Sequence, residues 1–492
     1  MISHPANDRL LDRAAVLWAG PGRADRDDDC ALPPPPENDC RRPDDLPLPL
    51  FLANGGPYTR QTAYSDRLPG GFRLVAAPGA GPVVLGQQAW ERWHAFDSPA
   101  PLGTTTDRQL ARLGLLRPVD AARSAARPLP PGELTAWLHV TNACNLDCPY
   151  CYVRKSSARM SPETGTAAVE AAFRAAVRGG FDAVRLKYAG GESSLHLRLV
   201  RRLHERAAAL AVETGLPLRE VMLTNGVHLR PADADWLAEI GMRVVVSLDG
   251  VGALHNRLRP MAGRPNEDTF ARVAHTIDRV LLPRGLRPDI TMTVTGLNAH
   301  GAADVARWAI LERNLPTRFS FYRANPFSRG RRELALEEEA IISGMLAAYA
   351  ALEADPPDWP FTRGLLDRAD TVPHAHACGV GLNYLVFTHT GAVSQCQMHL
   401  DHPVHPGTDG DLSAAVAAGP ILNLHVEEKE GCRDCDFRFA CAGGCPLETF
   451  RVTGRFDVRS PNCRIYQSLL PHVWRLEGLR LLRHHGYPIR AD

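Results

Sequence analysis

Residues 133 to 322 repeat one pattern, in which six short apolar segments are separated by longer segments with helical periodicity. We predict strands at residues 134–140, 183–189, 220–224, 242–248, 289–295 and 318–322. Strands separated by helices pair in parallel, because each helix returns the chain to the edge of the sheet where the previous strand began. The pattern therefore predicts an α/β fold with a parallel sheet or barrel, and we expect a partial (β/α)6 TIM-type barrel. In such barrels functional side chains gather at the C-terminal ends of the strands.

The composition argues against several classes of protein. The 492 residues are 45% hydrophobic and 23% charged, which is typical of a folded soluble chain. Lys plus Arg number 56 and Asp plus Glu 55, a balance that argues against a general nucleic-acid binder or a polybasic membrane anchor. No apolar run reaches the roughly 18 residues of a membrane span, and the N-terminus does not resemble a signal peptide. We therefore expect a cytoplasmic protein whose twelve cysteines bind metal before they form disulfides.

The N-terminal 125 residues differ from the rest of the chain. Residues 25–49 are rich in Pro and Asp and are expected to be extended or disordered. Cys30 and Cys40 lie there, apart from the other cysteines, and no specific role is expected for either. Residues 72–120 predict a small α+β unit, with strands at 73–76 and 83–85 and helices at 87–96 and 105–113. This unit resembles the winged-helix modules that hold leader peptides of ribosomally made peptides, and a simple N-terminal cap on the next domain fits as well.

The loop after the first predicted strand of the barrel carries Cys144, Cys148 and Cys151. Three thiolates on one loop can bind an iron–sulfur cubane and leave one iron open. An open coordination position is typical of catalytic metal sites. A zinc site is the alternative, with His139 as fourth ligand, but His139 lies inside the predicted strand.

The Cys-x3-Cys-x2-Cys spacing, with the aromatic Tyr150 before the last cysteine, resembles the radical S-adenosylmethionine (SAM) superfamily. The resemblance implies a 4Fe–4S cluster on the three cysteines, with the amino and carboxylate groups of SAM on the open iron. Reduction then splits SAM into methionine and a 5′-deoxyadenosyl radical, which is chemistry of the cofactor. Tyr150 is expected to lie against the adenine.

Two later strands of the predicted barrel end in sequences that resemble the same family. The second ends in Gly-Gly-Glu, and the fourth ends in Ser-Leu-Asp-Gly, which is similar to the peptide-modifying branch. By this resemblance Glu192 receives the SAM amino group, Ser247 contacts SAM polar groups and Asp249 lies near the ribose or the substrate. Each motif alone also fits an ordinary turn, and Arg259 fits either a carboxylate-binding residue or a solvated charge. The predicted SAM-binding residues are Tyr150, Gly190, Gly191, Glu192, Ser247 and Asp249.

Residues 378–463 contain seven further cysteines. Their spacing, above all Cys-x2-Cys-x5-Cys-x3-Cys from residue 432, resembles the SPASM domain, which in relatives binds two auxiliary 4Fe–4S clusters. The resemblance implies an outer cluster on Cys432, Cys435, Cys441 and Cys463. It implies an inner cluster on Cys378, Cys396 and Cys445. Together with the first loop, the chain is expected to hold three 4Fe–4S clusters and SAM.

The inner set of cysteines is one ligand short. Fully ligated relatives have an eighth cysteine shortly after the first, but residues 379–386 contain none. An open iron there could bind substrate, water or a nearby side chain such as His376, or a side chain other than cysteine closes it permanently. Zinc in the group from Cys432 to Cys445 is a further alternative.

The best-known SPASM enzymes act on polypeptides. One branch converts Cys or Ser of sulfatases to formylglycine, with an Asp directly after the cysteine that matches Cys396 as the base. Here that residue is Gln397, which cannot take a proton from a substrate. We therefore favour a maturase that forms thioether or carbon–carbon crosslinks in ribosomally made peptides, with formylglycine-type maturation as the alternative. A non-catalytic iron–sulfur electron carrier is the alternative from another class, and no catalytic side chain is predicted.

The same resemblances predict the organisation and partners of the chain. The expected partners are a precursor peptide or protein substrate and a flavodoxin- or ferredoxin-type electron donor, but neither nucleic acid nor a membrane. The predicted regions are a partly disordered N-terminal region at 1–125, a radical SAM core at 131–345, a SPASM domain at 370–470 and a C-terminal helix at 471–492.

Overall fold

Two short sheets and two helices form the N-terminal part of the structure. The computed structural model describes residues 15–18, 56–120 and 132–489, so Cys30 and Cys40 lie outside the described residues. The elements are β1 (Val16–Trp18), β2 (Tyr58–Arg60), β3 (Tyr64–Arg67), β4 (Arg73–Ala76), β5 (Val83–Leu85), α1 (Gln87–His94), α2 (Thr105–Arg112) and β6 (Leu116–Pro118). One sheet has the antiparallel order β1-β5-β4-β3, and the other pairs β2 with β6. Both predicted strands and, within two residues, both predicted helices of this region are confirmed.

The central sheet has the predicted six parallel strands. They are β7 (Glu133–Thr141), β8 (Ala183–Gly190), β9 (Leu218–Thr224), β10 (Arg243–Ser247), β11 (Asp289–Val294) and β12 (Thr317–Phe321). Consecutive strands are neighbours, in the order β12-β11-β10-β9-β8-β7, and every pair is parallel. All six C-terminal ends therefore lie along one edge of the sheet, where the predicted site residues follow the strands. The predicted α/β fold with a partial parallel barrel is confirmed.

Helices connect these strands and cover the sheet. They are α3 (Pro162–Gly179), α4 (Leu197–Thr214), α5 (Pro231–Glu239), α6 (Ala253–Leu258), α7 (Thr269–His275), α8 (Ala302–Val305), α9 (Arg331–Leu334) and α10 (Glu338–Ala354). The sequence sets the ends of α3, because the Ser161 hydroxyl accepts from the Thr164 N–H at 3.1 Å and Gly180 ends the helix at φ 66°. The sequence pattern also predicts helices near 268–282 and at 302–314, and in the structure these segments contain π-helical turns at Thr276–Leu281 and Ala306–Leu311.

The sequence pattern also predicts one long polar helix at 334–354, and this prediction needs correction. The helix begins at Glu338, after the separate short helix α9. Its side chains at Ile341, Met345, Tyr349 and Leu352 are buried in the main core. The helix is thus largely apolar rather than polar, and it packs against the last helix of the chain and against α8.

The C-terminal part adds two strands to the central sheet. Its elements are β13 (Tyr384–Phe387), β14 (Val393–Ser394), α11 (Leu412–Ala417), α12 (Arg438–Cys441), α13 (Pro446–Thr453) and α14 (Cys463–His484). Strand β13 lies parallel to β7, and β14 pairs with β13 in the antiparallel sense. The sheet therefore has eight strands. The segment between Cys378 and Cys396 contains β13, which pairs with β7, the strand that leads into the first cysteine loop.

The last helix, α14, joins three parts of the molecule. It packs against α10 and against the N-terminal sheet at β1, β4 and β5. A Cβ on Gly478 would lie 2.9 Å from Leu68 Cδ1, so the glycine allows this close approach. Within the described residues, no helix is both long enough and apolar enough to cross a membrane.

Candidate functional site

The first cysteine loop lies at the C-terminal edge of the sheet, between β7 and α3. Cys144, Cys148 and Cys151 are all partly buried there, and none forms a disulfide. Burial raises the pKa of Cys144 to about 12, and the nearby Glu192 and Cys148 add to this shift. Burial likewise raises the pKa of Cys148 to about 11, with a contribution from Cys151. A metal cluster bound to these thiols would therefore have to displace their protons.

Glu192 follows β8 directly and is held in a fixed position beside this loop. Its carboxylate accepts from the Thr224 hydroxyl at 2.6 Å, from the Asn225 N–H at 2.7 Å and from the Ser194 N–H at 3.1 Å. Only 2% of Glu192 is exposed. The ends of β8 and β9 thus present a buried carboxylate toward Cys144, which is the geometry expected of a group that receives an ammonium ion.

The two glycines before Glu192 bring β8 onto the cysteine loop. The Gly191 N–H donates to the Thr141 carbonyl at 2.7 Å, and the Glu192 N–H donates to the Ala143 carbonyl at 2.8 Å. A Cβ on Gly190 would overlap the Thr141 carbonyl oxygen, and a Cβ on Gly191 would overlap that of Ala143. The two glycines therefore allow the end of β8 to pack closely against the backbone of the cysteine loop.

Asp249 is fully buried and links Tyr150 to Arg259. Its Oδ2 accepts from the Tyr150 hydroxyl and, at 2.7 Å, from Arg259 Nε, while Oδ1 accepts from the Thr293 N–H at 2.7 Å. The Arg259 guanidinium also lies 5.7 Å from the centre of the Tyr150 ring. Arg259 is thus a buried ion-pair partner rather than a solvated charge. Asp249 holds the tyrosine that separates Cys148 from Cys151.

Two further residues singled out from the sequence occupy different positions. Ser247 is the last residue of β10, in register with Thr291 of β11, so it lies at the same edge as the cysteine loop. His139 is buried, and its Nε2 hydrogen-bonds Asn142 Oδ1 at 2.7 Å. Burial lowers the pKa of His139 to about 4. The structure thus shows Asn142, and not a cysteine, as the hydrogen-bond partner of His139.

The four cysteines of the predicted outer set converge. Burial raises the pKa of Cys441 to about 12, and Cys432, Cys435 and Cys463 all contribute to that shift by their proximity. Cys432, whose pKa is raised to about 11 by burial, likewise lies near Cys463 and Cys435. A local Cys-x2-Cys turn and the start of α14, 28 residues beyond Cys435, thus meet at one place.

The three cysteines of the predicted inner set share one buried apolar cluster. Cys378, Cys396 and Cys445 pack there with Tyr384 and Ile421. The Tyr384 hydroxyl donates to Gln397 Oε1 at 3.0 Å, which holds the glutamine next to Cys396. His376 Nδ1 donates to the Asn423 carbonyl at 3.0 Å.

These donor sets fit iron–sulfur clusters by their chemistry. Cubane clusters take thiolate ligands, and the structure brings the cysteines into sets of three, four and three. Gly443 lies against the outer set, where a Cβ would be 3.3 Å from Cys432 Sγ, so its lack of a side chain leaves space beside that sulfur. Among the residues that the structure describes, no three His, Cys, Asp or Glu side chains close around a single metal ion.

Comparison with known proteins places this site in a family. Residues 138–309 match the sequence model of the Radical SAM superfamily, and they include the cysteine loop, Glu192, Ser247 and Asp249. The chain is 28% identical over 196 residues to the sporulation killing factor maturation protein SkfB of Bacillus subtilis strain 168. That match covers 39% of this chain and 43% of SkfB, so the chain spans less than half the length of this relative.

Two longer matches extend beyond the central domain. The antilisterial bacteriocin subtilosin biosynthesis protein AlbA of Bacillus subtilis strain 168 is 24% identical over 346 residues, which cover 65% of this chain and 68% of AlbA. This chain is 18% identical to anSMEcpe in the solved structure with bound AdoMet and Cp18Cys peptide. The match covers 71% of this chain and 99% of the anSMEcpe chain, and its TM-score of 0.57 shows a shared fold.

The parallel sheet with the three-cysteine loop at its edge is thus part of a radical SAM domain. The chain contains this domain at residues 138–309 and is an enzyme. A radical SAM domain implies a 4Fe–4S cluster and SAM as cofactors. The interpretation as a non-catalytic electron carrier is not supported.

Three residues near the site carried no predicted role. Thr224 holds Glu192, Tyr384 holds Gln397, and Lys429 is 99% buried beside the second group of cysteines. Of these three residues, only Lys429 could have been singled out from the sequence. Lysine is rare in this chain, with three lysines among 56 basic residues, and Lys429 lies three residues before Cys432. The roles of Thr224 and Tyr384 depend on contacts between distant segments.

Proposed function

We propose that the protein is a radical SAM maturase that oxidatively modifies a ribosomally made peptide, by forming a thioether or carbon–carbon crosslink. The observation that carries the proposal is the convergence of the cysteine loop with the buried carboxylate of Glu192 at one edge of the sheet. The names of the relatives SkfB and AlbA, a maturation protein and a bacteriocin biosynthesis protein, support peptide as the substrate class.

In this proposal each set of residues at the sheet edge has one task. Cys144, Cys148 and Cys151 hold the SAM-binding 4Fe–4S cluster, and Glu192 receives the ammonium group of SAM. Ser247, Gly190 and Gly191 line the same edge, and Tyr150 is fixed by Asp249 and Arg259. The cofactor pair supplies a 5′-deoxyadenosyl radical when bound. The protein's contribution is to orient SAM and substrate and to exclude water around the radical.

The second group of cysteines is proposed to hold two auxiliary 4Fe–4S clusters. The outer set has four thiols, which complete a cubane. The inner set has three, so one iron is left for substrate, water or a side chain. His376, whose Nδ1 donates to the Asn423 carbonyl, is the proposed candidate side chain. A flavodoxin- or ferredoxin-type protein is the proposed electron donor.

The N-terminal unit is proposed to bind the precursor peptide as a winged-helix-like module. It has its own hydrophobic core, formed by Val75, Trp93, Phe96, Leu110 and other buried side chains. A unit with a separate core can retain its shape while it binds a peptide. Its other face packs on α14, so a bound peptide would be tethered to the rest of the enzyme.

Formylglycine-type maturation is the second candidate, and the shared fold with anSMEcpe favours it. Gln397 argues against it, because its amide oxygen accepts from Tyr384 and cannot remove a proton from a substrate. Mass spectrometry separates the two. A crosslink within a peptide supports the first proposal, whereas conversion of a Cys or Ser side chain to an aldehyde would establish the second.

The central test is production of 5′-deoxyadenosine by reconstituted, reduced protein supplied with SAM, with and without a candidate precursor peptide. We expect the wild type to form it and Cys148→Ala to form none, because the variant lacks a ligand of the SAM-binding cluster. Cys435→Ala is the matched control, since it removes a cysteine of the distant outer set and should retain slow cleavage. Full cleavage by Cys148→Ala would overturn the assignment of the first loop.

A further inference from the structure

Lys429 places a positive charge inside the second cysteine field. The residue is 1% exposed, and its Nζ donates to the Ala442 carbonyl at 2.8 Å. It forms no ion pair with a carboxylate among the described residues. Burial of an ammonium group is costly unless a negative group compensates it. The nearby groups that favour the charged ammonium form are four cysteines. They are Cys378, Cys432, Cys441 and Cys445.

These four cysteines belong to both predicted sets, so Lys429 lies between the two. Cys432 and Cys441 are in the outer set, and Cys378 and Cys445 are in the inner set. The residues from Ala442 to Gly444 connect one set to the other, and all three have positive φ angles of 46°, 74° and 70°. Lys429 is bonded to the first carbonyl of this connection. The lysine is therefore attached to the segment that fixes the distance between the two sets.

The fit around the ammonium group is close. A Cβ on Gly443 would lie 2.7 Å from Lys429 Cδ, 3.0 Å from its Nζ and 3.3 Å from Cys432 Sγ. The glycine thus leaves the space in which the lysine lies beside the sulfur. A compact ammonium fits this space, whereas the planar guanidinium used at most other basic positions of the chain is larger.

We propose that Lys429 is a fixed positive charge shared by the two auxiliary clusters, which raises their reduction potentials so that they accept the electron released by the substrate. This inference rests on the proposed function. After a hydrogen atom is removed from the peptide, closure of the new bond releases one proton and one electron. The electron enters an auxiliary cluster, and no bond to Lys429 forms or breaks.

The physical basis is electrostatic. The reduced form of a thiolate-ligated cluster carries one more negative charge than the oxidised form, so a nearby cation stabilises it more. Net charge and hydrogen bonds around the sulfurs are among the factors that set cluster potentials. Because the site is buried, solvent screens this charge less than it would at the surface.

The test is a redox titration of full-length reconstituted protein, followed by electron paramagnetic resonance. Lys429→Met and Lys429→Gln remove the charge, and the second keeps a donor for the Ala442 carbonyl. We expect the auxiliary signals of both variants to shift to more negative potential than those of the wild type. The SAM-binding cluster, whose signal changes when SAM is added, should keep its potential and is the internal control.

Three outcomes would overturn the inference in distinguishable ways. Unchanged auxiliary potentials in Lys429→Met protein with about twelve irons per chain would refute the inference and leave the proposed function intact. Loss of iron in both neutral variants would show that the charge serves assembly instead of potential. Wild-type protein that never holds more than about four irons would refute the auxiliary clusters themselves.

Discussion

At the residue scale, buried carboxylates differ by the groups that they contact. Glu192 is held by backbone and hydroxyl donors from β9 and carries no arginine partner among the described residues, so its negative charge remains for a ligand. Asp249 is neutralised by Arg259 and hydrogen-bonded to Tyr150. Two acidic residues that follow strands in similar motifs therefore have different tasks. The first is suited to bind a cation, and the second to position the cysteine loop.

The prediction at this scale is that Glu192→Gln weakens SAM binding by roughly 10- to 100-fold, because a hydrogen bond to a charged group contributes about 1.5–3 kcal/mol. The glutamine keeps one acceptor for Thr224 but loses the negative charge. Equilibrium binding of SAM to reconstituted protein would measure the effect. Glu239→Gln, at an exposed site on α5, is the control and should bind SAM normally. Equal affinity of both variants would refute the role of Glu192.

At the element scale, the end of β8 and the cysteine loop form one unit. Gly190 and Gly191 have no side chains, and the N–H groups of Gly191 and Glu192 bond the backbone of the loop. The position of the loop is therefore fixed by main-chain contacts, which do not depend on the cysteine side chains. Two segments about 50 residues apart in sequence are joined in this way.

The prediction at this scale is that Gly191→Ala loses the SAM-binding cluster and keeps the auxiliary ones. The new methyl group would overlap the Ala143 carbonyl oxygen, so the loop that carries Cys144 must move. Iron analysis should fall by about four atoms per chain, and 5′-deoxyadenosine formation should be lost.

The control for this substitution is Gly407→Ala, because a Cβ there meets nothing within 4 Å. It should keep full iron content. If Gly191→Ala also retained all its iron and cleaved SAM at the wild-type rate, the close contact between β8 and the loop would not matter for the site.

At the scale of the whole molecule, the second cysteine group ties together parts that are far apart in sequence. Cys378 lies just before β13, which pairs with β7, and Cys463 begins α14, which packs on α10 and on the N-terminal sheet. Clusters bound to these cysteines would crosslink the barrel, the C-terminal part and the N-terminal unit. Metal binding then contributes to the stability of the complete fold.

The prediction at this scale is that Cys435→Ala lowers both iron content and stability. We expect about eight irons per chain instead of about twelve, together with a lower Tm measured anaerobically. The proposed outer cluster would link the Cys-x2-Cys turn to α14, so its loss would free the start of that helix. An unchanged Tm and full iron content in Cys435→Ala would refute this clamping role.

Much of the fold and part of the site followed from local patterns. The alternation of strands and helices placed all six central strands within two residues, because hydrophobic periodicity is a local property. The short strands β1, β2, β3 and β6 were missed, since three or four residues carry little periodicity. The polar description of the helix at 334–354 was wrong because α10 buries one side against the core.

The sequence by itself determined which residues can bind iron, because cysteine spacing on a loop is fixed by covalent connection. Only the tertiary structure decided how these residues meet. It joined β13 to β7, placed Thr224 against Glu192, linked Asp249 to Tyr150 and set Lys429 between the two cysteine sets. Each of these contacts links segments that are separate in the sequence. Such contacts form only when burial of the apolar faces brings the segments together, so no local pattern could reveal them.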